Sequence, residues 1–163
     1  LQYINLVEAK KRLHGLELEG QINLPHNIQF EAGLTTQNLI DSGTVITVPR
    51  LMIKSGLSYV EPRYGSFGIF NSYFGQAANR QYLNPEMMNV NPEASAFHWL
   101  SLQVDANLTN LLSLRVDPDI RLKMYAVNLL DQLVYYPEYV RRNINTIPGR
   151  SGRAFYLTLT LAL

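Results

Sequence analysis

Apolar and polar residues alternate along most of the chain, which is the pattern of β-strands. A helix would scatter such apolar positions around its circumference, whereas a strand collects them on one side. The pattern is clearest in the last strand, whose apolar face carries Phe155, Leu157, Leu159, Leu161 and Leu163. The same alternation predicts further strands at 16–24, 28–35, 51–59, 65–75, 100–116 and 120–126, after a short first strand at 3–7.

The connections between these strands alternate in length. Short turns, each containing proline, are predicted at 25–27, 61–64 and 117–119. Longer links are predicted at 36–48, 76–96 and 131–152. Strands joined by tight turns form antiparallel hairpins, so all the short turns lie at one end of the sheet. The sequence therefore predicts an all-β, antiparallel fold of about eight strands.

The alternation leaves open whether the apolar face meets a protein core or lipid. The face opposite the leucines carries charged residues of both signs, namely Glu17, Glu19, Glu31, Lys54, Arg121 and Lys123. Several predicted strands exceed the usual five or six residues. Short turns at one end and long loops at the other are typical of outer-membrane barrels. We therefore expect a transmembrane β-barrel, and we keep a soluble β-sandwich as an alternative.

The composition of the chain argues against several classes of protein. Charged residues make up 17% of the chain and the net charge is +1, which argues against nucleic-acid binding and against disorder. The chain has no cysteine, which excludes disulfides and thiolate metal sites. Residues 1–6 of the chain show no basic start, apolar core or small-residue cleavage site of a signal peptide, and the chain has no run of about 18 apolar residues. Because it begins as if inside a strand, we expect a processed protein or a piece of a longer one.

Four motifs, in order, resemble one known family. The segment 128–136 (NLLDQLVYY) resembles the NLFD..Y signature of TonB-dependent outer-membrane receptors, and 148–157 (PGRSGRAFYL) resembles their PGR.....L.Y.F ending. Upstream, 3–17 resembles the Y.N…G.E strand pair, and 49–59 resembles the following P…L.Y strand. The last strand of outer-membrane barrels has apolar residues at alternate positions, as here, although most end in Phe or Trp rather than Leu163.

The resemblance implies a fold, a location and a function. Such receptors are plugged barrels of about 22 strands, so residues 1–163 would form a barrel segment without the plug. The implied function is part of an outer-membrane uptake receptor of a Gram-negative bacterium, for an iron chelate, cobalamin or a glycan. The alternative is a structural or interaction subunit of the outer membrane without transport activity. The expected partners are outer-membrane lipid, barrel strands or a plug from another segment or chain, and other envelope proteins, but no nucleic acid.

Candidate ligand-binding residues lie in the long link 76–96. In the family, long surface loops touch the incoming ligand, and this link holds Arg80, Tyr82, Met87 and Met88. The resemblance therefore implies that these four residues contact the solute.

The remaining polar groups predict no enzyme, cofactor or metal site. A hairpin centred on His26 places Gln21 opposite Glu31, which we interpret as part of a lumen wall rather than an acid–base pair. His14, His26 and His98 are isolated from other metal ligands. The glycine-rich, basic segment 149–153 precedes a strand, so it lacks the helix terminus of a phosphate site. We interpret it as a mobile loop whose arginines touch anionic lipid.

Overall fold

The computed structural model describes residues 13–39, 49–77, 88–114, 119–137 and 144–162. Seven of its strands form one sheet in which every neighbouring pair is antiparallel: β1 (Leu13–Leu24), β2 (Ile28–Leu39), β3 (Leu51–Glu61), β4 (Gly65–Phe74), β5 (Phe97–Asn107), β6 (Asp119–Val127) and β9 (Ala154–Ala162). Two short strands, β7 (Tyr135–Pro137) and β8 (Thr146–Pro148), pair with each other. The prediction of an antiparallel all-β fold is confirmed.

The seven strands of the main sheet correspond to the predicted strands from 16–24 onwards, while the predicted strand 3–7 lies outside the described residues. The prediction for the fifth of these strands was wrong at its end. It stops at Asn107 instead of continuing to Val116, and a one-turn helix, α1 (Leu108–Leu111), follows. The Asn107 side chain accepts a hydrogen bond from the Asn110 N–H at 3.0 Å. Such a local bond competes with the strand ladder, so the connection to β6 is longer than a tight turn.

Turn chemistry explains two of the hairpins. In the β1–β2 turn, three residues separate the paired Leu24 and Ile28, and His26 and Asn27 have φ of +64° and +61°, in the left-handed region that Asn and His adopt more often than most residues. In the β3–β4 turn, Gly65 has φ of +130°. A Cβ there would lie 1.8 Å from the carbonyl oxygen of Asp105, so only glycine fits. Both predicted turns are confirmed.

Strand register separates the sheet into two faces, because directly paired residues point to the same side. One row across all seven strands consists of Ile22, Phe30, Leu57, Ile69, Leu102, Ala126 and Phe155. A row on the other side consists of Asn23, Gln29, Ser58, Gly68, Gln103, Tyr125 and Tyr156. We call these sides the apolar face and the polar face.

The described strands form an open sheet with β1 and β9 at its edges, and no described pairing joins those two strands. The turn ends of successive hairpins are staggered in one direction. The second hairpin extends two residues beyond the first, from Tyr59 to Glu61. In the third hairpin, the β5–β6 pairing extends one residue beyond Leu122, to Arg121, and β6 continues to Asp119 in its pairing with β9. Such a stagger is required of the inclined strands of a barrel, but the described residues show no closed barrel.

Candidate functional site

The apolar face is exposed on β1, β3 and β9 and mostly half-buried on the other four strands of the sheet, and Ala126 in β6 is 0% exposed. Leu57 in the centrally placed β3 is 46% exposed, and Leu157 in the edge strand β9 is 70% exposed. Among the described strand residues, this face carries one acidic or basic residue of the Asp, Glu, Lys and Arg types, Glu61 at the β3–β4 turn. An apolar surface that extends across seven strands marks an interface with a partner or with a membrane.

Aromatic residues lie towards both ends of the apolar face. Tyr59 and Phe67 face each other across β3 and β4 near the turn end. Near the loop end, the rings of Tyr73 and His98 are 5.0 Å apart, and the His98 imidazole Nδ1 lies 3.1 Å from the Asn71 side-chain oxygen. Ring side chains that combine an apolar body with a polar edge suit the boundary between an apolar phase and water.

The polar face carries exposed charges of both signs. Lys123 Nζ lies 3.6 Å from an Asp105 carboxylate oxygen, and the Lys123 side chain is 58% exposed. Exposed pairs of this kind contribute little to stability.

Gln21 stands opposite Glu31, as predicted. With Glu19 and Lys54, these two residues line an open groove of about 410 Å³, so this face is suited to an aqueous space.

The polar face also contains an aromatic ring packed on glycine. Phe70 pairs with Gly56 across the β3–β4 ladder. A Cβ on Gly56 would lie 2.6 Å from the Phe70 ring, and one on Gly68 would lie 2.7 Å from it. The two glycines therefore leave room for the ring to lie against the backbone.

Asn128 holds together the connection between β6 and β9. It is 0% exposed, and its side-chain oxygen accepts a hydrogen bond from Gln132 N at 3.0 Å. Its side-chain nitrogen donates to the carbonyl oxygens of Gln132 and Ser151 at 3.0 and 3.3 Å. Nearby, an Asp131 carboxylate oxygen accepts from Arg153 N at 2.9 Å. These bonds join both ends of the connection.

The two C-terminal motifs therefore meet in space. The backbone N–H of Gly149 donates to the carbonyl of Val134 at 2.9 Å, which adds to the bonds of Asn128 and Asp131. Segments 128–136 and 148–157 form one hydrogen-bonded unit at the loop end of the sheet. Asn128 and Asp131, the N and D of the first motif, therefore bind the second motif directly through hydrogen bonds to Ser151 and Arg153.

A second polar network attaches the segment before β5 to this unit. The buried Asn145 side chain accepts hydrogen bonds from the N–H groups of Val90 and Asn91, each at 3.0 Å. The buried Thr146 hydroxyl donates to the carbonyl of Pro92 at 2.6 Å. Buried polar groups that are satisfied in this way fix the relative position of two loops.

An arginine and four aromatic residues form a cluster at the loop end of the polar face. The Arg150 guanidinium carbon lies 4.7 Å from the ring centroid of Trp99 and 5.5 Å from that of Phe74. Its Nε donates a hydrogen bond to the Tyr136 hydroxyl at 2.8 Å. Phe97 stacks on Phe74 at 4.7 Å and meets Tyr136 edge-on at 6.4 Å. We call these five residues the arginine–aromatic cluster.

The cluster bears on one sequence prediction. Trp99 lies on the polar face, in the row of Lys54, so the Arg150 stacked on it lies away from the apolar face. Cation–π contacts and the Tyr136 hydroxyl hold the guanidinium there, and contact of this arginine with lipid stays a prediction. The sequence carried one signal of the cluster: bulky aromatic residues occupy polar-face positions at the strand ends.

The predicted ligand-binding residues are only partly described. Arg80, Tyr82 and Met87 lie outside the described residues. Met88 is 58% exposed, and its carbonyl accepts a hydrogen bond from Asn145 N at 3.0 Å. Its side chain is therefore available at the loop end of the sheet, and its contact with a ligand stays a prediction.

Two features are absent from the described parts of the chain. These parts contain no group of three or more His, Cys, Asp or Glu residues placed to hold a metal ion. No helix in them has the length and apolar character needed to span a membrane.

Comparison with protein-family models, with curated proteins and with solved structures found no match to this chain. The resemblance to TonB-dependent receptors therefore rests on the motifs and their order.

Proposed function

We propose that this chain forms part of the wall of a TonB-dependent receptor-like barrel in the outer membrane of a Gram-negative bacterium, where it takes part in uptake of a scarce solute. The apolar face contacts lipid and the polar face lines the lumen. The observation that carries the proposal is the apolar face, which runs across seven paired strands, is exposed or half-buried at most positions and is backed by a charged face.

Strand length supports this assignment. The seven strands of the main sheet have 9 to 12 residues, and a strand that crosses a membrane at about 45° needs about 9–11. The staggered turn ends give the inclination that a barrel wall requires. A soluble sandwich would need a second layer over the leucines, and no described element covers them.

The open edges indicate how the wall would be completed. The outer sides of β1 and β9 present backbone N–H and C=O groups without a partner strand among the described residues. Such groups are costly to leave unpaired in lipid. We therefore expect further barrel strands, from another segment or chain, to pair with both edges, and the arrangement suits a receptor wall that surrounds a plug.

The same edges also favour a second candidate function. A wall segment that pairs with other chains can serve as a structural or interaction subunit of the outer membrane without transporting a solute. Measured uptake distinguishes the two candidates, because deleting the subunit removes transport only in the receptor.

Single cysteines at two adjacent positions test the proposal. The natural chain has no cysteine, so Leu102→Cys and Gln103→Cys each introduce one reactive group on opposite faces of β5. In isolated outer membranes, a water-soluble thiol reagent is expected to label position 103 and to spare position 102. Equal labelling of both positions, with both variants folded, would contradict the assignment of the apolar face to lipid.

A further inference from the structure

We propose that the arginine–aromatic cluster is a binding site for the carboxylate or phosphate group of a small anionic solute. Arg150 is the residue that binds the anion. The site lies at the loop end of the polar face, and none of its five residues is among the four that the sequence predicted to contact a ligand. It is formed within the chain, so it does not depend on insertion of the sheet into a membrane.

The guanidinium of Arg150 is held in one orientation before any ligand arrives. Its carbon lies 4.7 Å from the centroid of the Trp99 ring and 5.5 Å from that of Phe74. The hydrogen bond from Nε to the Tyr136 hydroxyl, 2.8 Å long, fixes the rotation of the guanidinium plane. A charged group that is already oriented loses less side-chain freedom on binding than a free surface arginine.

The contacts of Arg150 with the described residues leave its two Nη nitrogens available. Within the described parts of the chain, they have no hydrogen-bond acceptor, and the two ion pairs, Arg121–Asp119 and Lys123–Asp105, do not involve this arginine. Arg150 is also exposed. A guanidinium with an open Nη edge presents two parallel N–H donors, the geometry that matches two oxygens of a carboxylate or phosphate.

The surroundings further define the ligand. The residues after Arg150 are Ser151 and Gly152, both exposed, so the site is open to solvent on this side. Aromatic rings beside the guanidinium suit an apolar or ring-shaped part of the same molecule. Excluding a lipid headgroup rests on the proposed function, in which the apolar face contacts lipid and the cluster lies on the opposite face. We therefore infer a water-soluble organic anion.

The single tryptophan of the chain provides the measurement. Trp99 is the only one, so intrinsic fluorescence reports directly on the ring beneath Arg150. We would titrate the full chain with inorganic phosphate and, separately, with acetate, at ionic strength held constant with chloride. The expected result is a saturable change in Trp99 emission with at least one of the two anions.

Two variants and one matched control identify the binding group. Arg150→Met is expected to weaken the apparent affinity by about tenfold or more, because it removes hydrogen bonds to a charged group. Tyr136→Phe keeps the ring but removes the Nε partner, so a several-fold loss is expected. Arg63→Met is the control, because Arg63 also stacks on one ring, that of Tyr64 at 5.4 Å. It is expected to bind like the natural protein.

Several outcomes would overturn the proposal. The absence of a saturable change with both anions in the natural protein would do so. An unchanged affinity in folded Arg150→Met would also do so, as would an equal loss in Arg63→Met, which would indicate general charge attraction. If Arg150→Met does not fold, Tyr136→Phe decides, and an affinity equal to that of the natural protein then rejects the site.

Discussion

Arginine in place of Leu102 is expected to destabilise the sheet in a lipid bilayer far more than the same change on the opposite face. Leu102 lies at the centre of β5 (Phe97–Asn107), five positions from each end. Its direct partners, Ile69 and Ala126, are also apolar. The substitution therefore places a charge in the middle of the apolar face, where no described acidic residue is paired with it.

The free-energy cost of Leu102→Arg follows from the depth of Leu102 in the bilayer. Five residues at about 3.3 Å each span about 16 Å along the strand. At a tilt of about 35–45°, this corresponds to about 12–14 Å along the membrane normal, or half of an apolar band of about 25 Å. Leu102 is thus expected near the bilayer midplane, where arginine costs about 2–4 kcal/mol.

Urea unfolding of the chain reconstituted in lipid vesicles measures this cost. Gln103→Arg is the control for the face, and we expect a change below about 0.5 kcal/mol because position 103 lies on the polar face. Leu161→Arg is the control for depth, since Leu161 pairs with Ile120 at the turn end of the sheet. Near the interface, the cost falls to about 0–1 kcal/mol. Equal costs at 102 and 103, or at 102 and 161, would refute the assignment of the apolar face to lipid.

Two further predictions concern packing. Asn128→Ala should lower the free energy of unfolding by about 2–4 kcal/mol, because it leaves buried backbone groups unsatisfied, and Asn128→Gly should cost less because Asn128 has φ of +50°. If Asn128→Ala and Asn128→Gly both lower the free energy of unfolding in urea by the same small amount, the hydrogen-bonding role of the Asn128 side chain is contradicted. Gly56→Ala should cost about 1–3 kcal/mol through contact with Phe70, and a double-mutant cycle with Phe70→Ala should recover part of it. Gly20→Ala is the matched control, since no heavy atom lies within 4 Å of its Cβ position, and a similar cost there would reject the packing argument.

Alternation in the sequence predicted the seven strands of the main sheet, their order and the composition of the two faces. Period two is a local property of the backbone, so alternation in a segment such as 154–162 requires no knowledge of the rest of the fold. Turn residues predict the register of paired strands in the same local way, because the position of the turn sets which residues lie opposite each other. Once the His26 turn was placed, counting outward put Gln21 opposite Glu31, and the structure has that pair.

Local patterns failed where a side chain competes with the strand ladder. The apolar alternation continues through Leu112 and Leu114, so it predicted a longer β5. The strand ends at Asn107 because that side chain bonds to Asn110 N and also donates to Asp119 Oδ1 at 2.7 Å. Whether an asparagine caps a turn or lies within a strand depends on partners that alternation does not reveal.

How the loops meet at the end of the sheet is visible in the tertiary structure but not in the sequence pattern. Asn128 and Ser151 come together through the fold, as do Arg150 and Trp99. Hydrogen bonds and ring contacts depend on distance and direction in space, and residues that are far apart in the sequence carry no periodic signal of them. Alternation therefore predicts a two-faced sheet, while the arginine–aromatic cluster arises from where the chain returns over the polar face.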